Sequence, residues 1–295
     1  MQKVVAVVGT NASGKSDLGV QLARAFNGEI ISADSRQVFR GLDLGTGKIT
    51  PEEMQGIAHH MIDIRDPGEF FSMADFQRLS FALIPQIAAR GHLPMIVGGT
   101  GLYVDSVLDG YDLSDTEPDL AYRAELEKLT TPELYAMLLR VVPDTDVTAQ
   151  NRNRVMRMLE RIHDRDSAIP TRSKKVDSLR LGVSWPREIL ATRIEERLER
   201  RFRAGMLEEV QGLLDRGVSA EFLIGLGLEY RYITLYLTGQ MPDFSQMRGE
   251  LARAIRKFAK RQMTWFRRCP DILWLDMQSD PFAQASEAIT RFLNT

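Results

Sequence analysis

An α/β fold, a parallel sheet flanked by helices and carrying a small all-helical insertion domain, is predicted by three observations. Short β-branched runs alternate with helical periodicities through the first hundred or so residues, the pattern of a doubly wound parallel sheet. A glycine-rich turn joins the first of those strands directly to a helix. From Leu113 to about Lys175 the strand-like runs stop and only helical spacings remain, until LRLGVSW (Leu179 to Trp185) returns to strand.

The elements follow in order. Val4 to Val8 is apolar without polar alternation, as expected of a strand buried on both faces. Lys15 to Phe26 places Leu18, Val20, Leu22, Ala25 and Phe26 at helical spacing, and Glu29 to Ser32 reads as a second strand ending in ADSRQ. Ser72 to Arg90 predicts a long amphipathic helix, opened by a Ser72–Asp75 capping box and closed by Gly91. Leu93 to Val97 is the third strand, and GGTGLYV turns it into another helix.

Helical patterns at Leu120 to Leu129, Pro132 to Val141 and Val147 to Ile162 fill the insertion. After the strand at Leu179 to Trp185, Pro186 stands where proline favours a helix start. A charged helix then runs to about Arg203, where Gly205 interrupts it. Gln246 to Phe266 predicts a further helix, and DILWLD (Asp271 to Asp276) a final strand. The catalytic core is therefore assigned to residues 1–112 and 178–295, and the insertion to 113–177. SAIPTRSKK, Ser167 to Lys175, is the most linker-like segment.

Bulk properties narrow the class. With 295 residues the chain has room for one large α/β domain and a smaller piece. A single cysteine, Cys269, excludes an internal disulfide framework and suits a reducing compartment. No apolar stretch approaches the roughly 20 residues that span a membrane. VVAVV is read as a core strand rather than a secretion signal because a phosphate-loop pattern follows it. A soluble, cytoplasmic protein with no membrane partner is expected. The net charge of −2 does not decide for or against nucleic acid, since a basic patch can hide in such an average.

GTNASGKS fits G-x-x-x-x-G-K-[ST] in full, between a strand and a helix. The glycines let successive backbone N–H groups converge on one anion, Lys15 adds a point charge, and Ser16 offers a hydroxyl to Mg²⁺. The sheet is thus expected to be of the P-loop NTPase-like type. The motif specifies phosphate but not ATP. A second glycine turn, GGTGLY at Gly98 to Tyr103, follows another parallel strand, where Thr100 can face the same phosphates. Asp34 ends the second strand and can bind magnesium, bind a ribose or accept a proton, while Gln37 offers the donor and acceptor that suit a base edge. LPMIV carries no acid at its end, which counts against ATP hydrolysis. His59 and His60 lack the further ligands that a zinc site requires.

Taken together, GTNASGKS, ADSRQVFRGLDLGTGK, HHMIDIRDPGEFFSMADF, IVGGTGLYVDSVLDG, RIEERLERRFRAGMLEEV and AKRQMTWFRR resemble the tRNA dimethylallyltransferase family, in order and over nearly the whole chain. The resemblance implies that the phosphates are those of dimethylallyl diphosphate, held with Mg²⁺ by Gly9, Thr10, Asn11, Ala12, Ser13, Gly14, Lys15 and Ser16, with Ser16 on the metal. It implies catalytic roles for Asp34 as base and for Thr100 and Arg197 at the departing diphosphate. It further implies that the dimethylallyl group goes to N6 of the adenosine beside the tRNA anticodon.

The anticodon stem-loop is then expected to meet Ser35, Gln37, Lys48, Asn151, Arg154, Arg157, Lys260, Arg261, Gln262 and Arg267. The insertion would clasp the anticodon arm, and the basic stretch Arg248 to Arg268 would face the RNA phosphates. A monomer is expected. Three departures from the family pattern bear on the RNA contacts: Phe39 where many relatives carry tyrosine, Gln150-Asn151 before the arginines, and GLGLEYR. The competing readings are prenylation of free adenine nucleotides, a small-molecule kinase, which ATP turnover would expose, and a non-catalytic RNA-binding protein. The insertion and KRQMTWFRR favour tRNA over a mononucleotide, which needs no extended basic surface.

Overall fold

The computed structural model describes residues 1–113, 119–145, 147–163 and 172–295. They form two compact units: Met1–Gly110 with Lys174–Thr295, and Tyr111–Ser173. The core resumes at Lys174, ahead of the expected residue 178, because its fifth strand already begins at Val176.

In the larger unit the chain runs β1 (Gln2–Val8), α1 (Lys15–Ala25), β2 (Gly28–Ala33), α2 (Pro51–Met54), β3 (His59–His60), α3 (Met73–Ala89), β4 (Leu93–Gly98) and α4 (Gly101–Leu108). The smaller unit holds α5 (Leu120–Glu127), α6 (Thr131–Val141) and α7 (Arg152–His163). The larger unit then continues with β5 (Val176–Ser184), α8 (Arg187–Arg203), α9 (Met206–Asp215), α10 (Ala220–Leu226), α11 (Leu228–Leu237), α12 (Phe244–Phe266), β6 (Ile272–Asp276) and α13 (Pro281–Leu293).

Among the described residues one parallel sheet of six strands forms, in the order β3-β2-β4-β1-β5-β6. The β-branched run at Val4–Val8 is buried throughout because each face of β1 packs on a different helical layer. Val4, Ala6 and Val8 join Phe76, Ile84, Val104 and Leu108 of α3 and α4, whereas Val5 and Val7 join Leu18 and Leu22 of α1 and Ile289 of α13. The Ser72–Asp75 capping box forms as expected, each residue satisfying the other's backbone N–H.

The register sets the carboxyl ends of β2, β4 and β1 side by side, with Ala33 opposite Gly98 and Gly98 opposite Val8. A separate apolar cluster joins α8 to α12 through Ile194, Leu198, Val210, Tyr230, Leu251 and Ile255, and it carries that helical layer beside the strand ends.

The smaller unit has its own core of Leu126, Leu134, Leu138, Val147, Val155 and Leu159. Its third helix begins at Arg152 rather than Val147, because the Asn151 side chain accepts the Arg154 N–H and turns the chain into helix there. Of the expected linker, Ser167 to residue 171 lie outside the described residues.

Candidate active site

A cavity of about 810 Å³ opens at the carboxyl ends of β1, β2 and β4. The glycine-rich turn forms its floor. Gly14 has φ of +82°, a left-handed conformation that glycine adopts without cost, and it starts α1 with the N–H groups of that helix end turned toward the cavity. Asn11 to Ser16 line the cavity. Gly9 and Thr10 sit behind them: a Cβ on Gly9 would lie 2.5 Å from Val183 Cγ2, and Thr10 is buried.

Two residues that sequence reasoning missed hold the turn from outside. Arg193 Nε donates to the Ala12 carbonyl at 3.0 Å, and Trp185 Nε1 donates to the Ser13 carbonyl at 2.9 Å. The Arg193 guanidinium also stacks on the Trp185 ring, 4.5 Å from its centre. With these carbonyls engaged outside, the turn is held in one conformation. Arg193 lies in the R-I-x-x-R stretch that supplied Arg197, so its position in the sequence was the available signal.

Lys15 donates to the Thr10 carbonyl at 3.1 Å. Burial, reinforced by the neighbouring Arg197 guanidinium, pushes its pKa down to about 8. Arg197 itself is pushed down to about 10, first by burial and then by Arg201. Such a cluster of mutually repelling buried cations gains from any anion placed between them.

Asp34 leaves β2 in a turn of its own making, its Oδ1 accepting the Arg36 N–H at 2.9 Å. Thr100 faces it across the crevice: its Oγ1 accepts the Ser35 N–H at 3.2 Å, so the loops after β2 and β4 are tied together. Asp34, Thr100, Arg197, Lys15 and Ser16 thus share one cavity. Gln37 donates to the Gly47 carbonyl at 3.2 Å and accepts from Ser32 Oγ at 3.2 Å, leaving one N–H and one lone pair on its amide for a ligand.

Several residues expected at the RNA also serve inside the protein, and two of them, Lys48 and Gln262, line the cavity as well. Gln262 is buried, accepting the Asn11 N–H and donating to the Gly99 carbonyl, each at 2.9 Å. Lys48 is turned inward, its ammonium on the Asp43 carboxylate at 2.6 Å, the Asp63 carboxylate at 2.5 Å and the Phe39 carbonyl at 2.9 Å. Phe39 is buried edge-on against Phe222 and does not line the cavity. In the smaller unit Arg157 pairs with Glu160 at 3.2 Å, and Asn151 caps α7.

The basic stretch on α12 divides in two. Arg248, Arg253 and Arg256 pair with Glu199, Glu250 and Glu195. Among the described residues no carboxylate pairs with Lys257, Lys260, Arg261 or Arg267, which are exposed. Arg261 and Arg36 both lie over the Phe258 ring, which lines the cavity rather than the core.

The histidine pair also separates. His60 Nε2 meets Glu29 Oε2 at 2.7 Å in a cluster with Arg90, whereas His59 lines the cavity and is held below its ordinary pKa by burial. Among the described residues no group of acidic, histidine or cysteine side chains is arranged to hold a metal by itself, and no helix is long and apolar enough to cross a membrane.

Fold and site together define a P-loop α/β protein built to hold an anion beside a carboxylate, with no acid at the end of β4. Comparison with known proteins narrows this to one family. The IPP transferase model matches residues 37–269. The tRNA dimethylallyltransferase 2 of Shewanella sediminis is 43% identical, with 97% of this chain and 97% of that protein covered. The tRNA dimethylallyltransferase of Halalkalibacterium halodurans is 38% identical over 99% of this chain and 96% of its own.

Among solved structures, the full-length tRNA isopentenylpyrophosphate transferase of Bacillus halodurans superposes with a TM-score of 0.76 at 38% identity, covering 100% of this chain and 96% of that one. A eukaryotic dimethylallyltransferase acting on tRNA reaches 0.83 at 25% identity, covering 98% and 78%. The chain belongs to the IPP transferase family.

Proposed function

We propose that the chain is a tRNA dimethylallyltransferase, moving the dimethylallyl group of dimethylallyl diphosphate to N6 of the adenosine 3′-adjacent to the anticodon and releasing diphosphate. The observation that carries this is the single cavity in which the Lys15–Arg197 cation cluster meets Asp34. A P-loop facing a carboxylate suits transfer of a carbon group away from a diphosphate.

In that reaction the allylic C1–O bond breaks and its electron pair leaves with the diphosphate. A bond forms between C1 and N6. The allyl cation character that develops is delocalised, so the protein's main task is to stabilise the negative charge growing on the leaving group. Lys15, Arg197 and the N–H groups at the start of α1 would do this, with Thr100 on the opposite wall. The adenine amino group becomes strongly acidic once N6 bonds to carbon, and Asp34 takes its proton. Gln37 would hold the base edge through its remaining N–H and lone pair.

Mg²⁺ suits this donor set. A small hard cation takes one or two protein oxygens and completes its shell with phosphate and water, and the Ser16 hydroxyl supplies such an oxygen in the cavity. When bound it would neutralise diphosphate charge. For the RNA, Lys260, Arg261 and Arg267 would meet phosphates, and Asn151, Arg154 and Arg157 of the smaller unit would meet the anticodon arm. The protein would act as a monomer in the cytoplasm.

The test is incubation with dimethylallyl diphosphate and Mg²⁺, offering unmodified tRNA or AMP, followed by mass spectrometry for N6-prenyladenosine. Product in tRNA, lost with Asp34→Ala, supports the reading. Product on AMP alone moves the chain to free-nucleotide prenylation, and no product on either sinks the transferase.

A further inference from the structure

Arg193, Arg197 and Arg201 recur every four residues on α8, so their side chains share one face, and all three line the cavity. Arg193 is occupied by the Ala12 carbonyl and the Trp185 ring. Arg201 has a different situation. Its side chain is 12% exposed, its Nη1 donates to Glu229 Oε1 at 3.1 Å, and its Nη2 is buried without a hydrogen-bond partner. An unmet donor on a buried cation is costly, and an acceptor that reached it would relieve that cost at once.

The surrounding charge specifies the acceptor. Glu229 is shared between Arg201 and Arg36, the latter at 4.0 Å. Arg197 and Lys15 both feel Arg201 as a repelling charge, against which Asp34 acts on both, Asp17 on Lys15, and Glu229 and Glu53 on Arg197. A multiply charged anion offsets this excess, and a neutral base does not.

Room for Arg201 comes from Gly47. A Cβ there would fall 1.5 Å from Arg201 Nη2 and 2.3 Å from Arg197 Nη2. Its φ of +61° is also one that glycine tolerates and side chains resist. The loop cannot back away, because Glu209 accepts the backbone N–H groups of Asp43, Leu44 and Gly45 and is itself fixed by Tyr230.

We propose that Arg201 is a further diphosphate-binding residue, seated by Gly47 and held by Glu229, so that the leaving group is gripped by Lys15, Arg197 and Arg201 together. The inference rests on the reading of this cavity as the diphosphate site.

Calorimetric titration with inorganic pyrophosphate and Mg²⁺ tests it on the wild type, Arg201→Met, Arg201→Lys, Gly47→Ala and the Gly47→Ala/Arg201→Met double variant. KM is measured separately for dimethylallyl diphosphate and tRNA. Arg201→Met is expected to weaken pyrophosphate binding about ten- to a hundredfold and to raise KM for dimethylallyl diphosphate, with KM for tRNA within about twofold. Arg201→Lys keeps part of the affinity. Gly47→Ala weakens binding in the wild type and does so less when Arg201 is already gone, since the backbone strain is common to both backgrounds.

Pyrophosphate affinity unchanged within about twofold in a folded Arg201→Met protein overturns the proposal, as does an effect confined to the tRNA KM. Should Arg201→Met not fold, unchanged affinity in both Arg201→Lys and Gly47→Ala overturns it. A wild type that binds pyrophosphate through Arg201 but prenylates no tRNA would support the Arg201 site and remove the transferase reading, so the two fail separately.

Discussion

Gln262 reaches out of α12 to accept the backbone N–H of Asn11, and its other amide end holds the Gly99 carbonyl. One side chain therefore sets the distance between the phosphate loop after β1 and the glycine loop after β4. Gln262→Leu has nearly the same volume but leaves a buried carbonyl and an N–H unmet. It should lower unfolding free energy by about 1–3 kcal/mol and raise KM for dimethylallyl diphosphate while sparing tRNA affinity. Urea denaturation alongside steady-state kinetics measures both. Unchanged stability would show that water replaces the amide.

The pH dependence of diphosphate use should carry the signature of Lys15. Its pKa is pushed down to about 8 by burial, then by Arg197, so the free enzyme loses this positive charge as the pH rises through that value. kcat/KM for dimethylallyl diphosphate is expected to fall on the alkaline side of pH 8. Lys15→Arg, which stays charged, should flatten that limb even if its overall rate is lower. A limb that persists in the arginine variant assigns it to another group.

Glu29 governs stability rather than chemistry. The Arg90 hydrogen bond, with help from His60, holds its carboxyl down to about 2. A carboxylate whose folded pKa is depressed contributes its stability above the unfolded value of roughly 4.5 and loses it as the pH falls toward the folded one. Acid should therefore remove about 1–3 kcal/mol between pH 5 and pH 2, screened by the solvent that reaches Arg90, and Glu29→Gln should lack that part of the slope. Denaturant titrations at a series of pH values decide this. Parallel curves for the two proteins would remove Glu29 from the account.

The two classes of cation on α12 and its C-cap should separate in salt. Lys260→Ala or Arg267→Ala is expected to lower tRNA affinity and to reduce the slope of log K against log salt by about 0.7–0.9 each. Arg253→Ala, whose guanidinium is on Glu250 at 2.7 Å, should leave the slope nearly unchanged. Filter binding across a salt series reads all three, and equal effects would mean that the intramolecular pairs open on the RNA.

Much of this was legible in the sequence because the signals were local. The P-loop fixes its own neighbours, so Lys15, Ser16 and the flanking β1 and α1 followed from eight residues. The Ser72–Asp75 cap and the proline at the head of α8 are likewise local. What escaped was what depends on distant partners. Gln262, beside a lysine and an arginine, and Lys48, in a glycine-rich loop, both look like surface residues, and only the fold shows the carbonyls and carboxylates that face them. Arg248 and Arg256 were indistinguishable from the unpaired cations of that stretch because their partners, Glu199 and Glu195, lie on another helix. Strand β3 is two residues long, too short for any periodicity, and Trp185 and Arg193 serve main-chain carbonyls, a role that neither residue type discloses by itself. The sequence motifs touched α9 to α11 without marking them as separate helices, and α13 carries no motif.

The smaller unit closes on itself where it begins and ends. Tyr111 and Arg172 pair as an antiparallel bridge, and the Arg172 guanidinium lies 4.8 Å from the centre of the Tyr111 ring. A clasp of this kind makes the length of the inserted chain independent of the gap between the strands on either side. Residues can be added or removed beyond the clasp without altering the register in which β5 lies against β1. Change in the inserted helices is thereby decoupled from the strand ends, where the cavity lies.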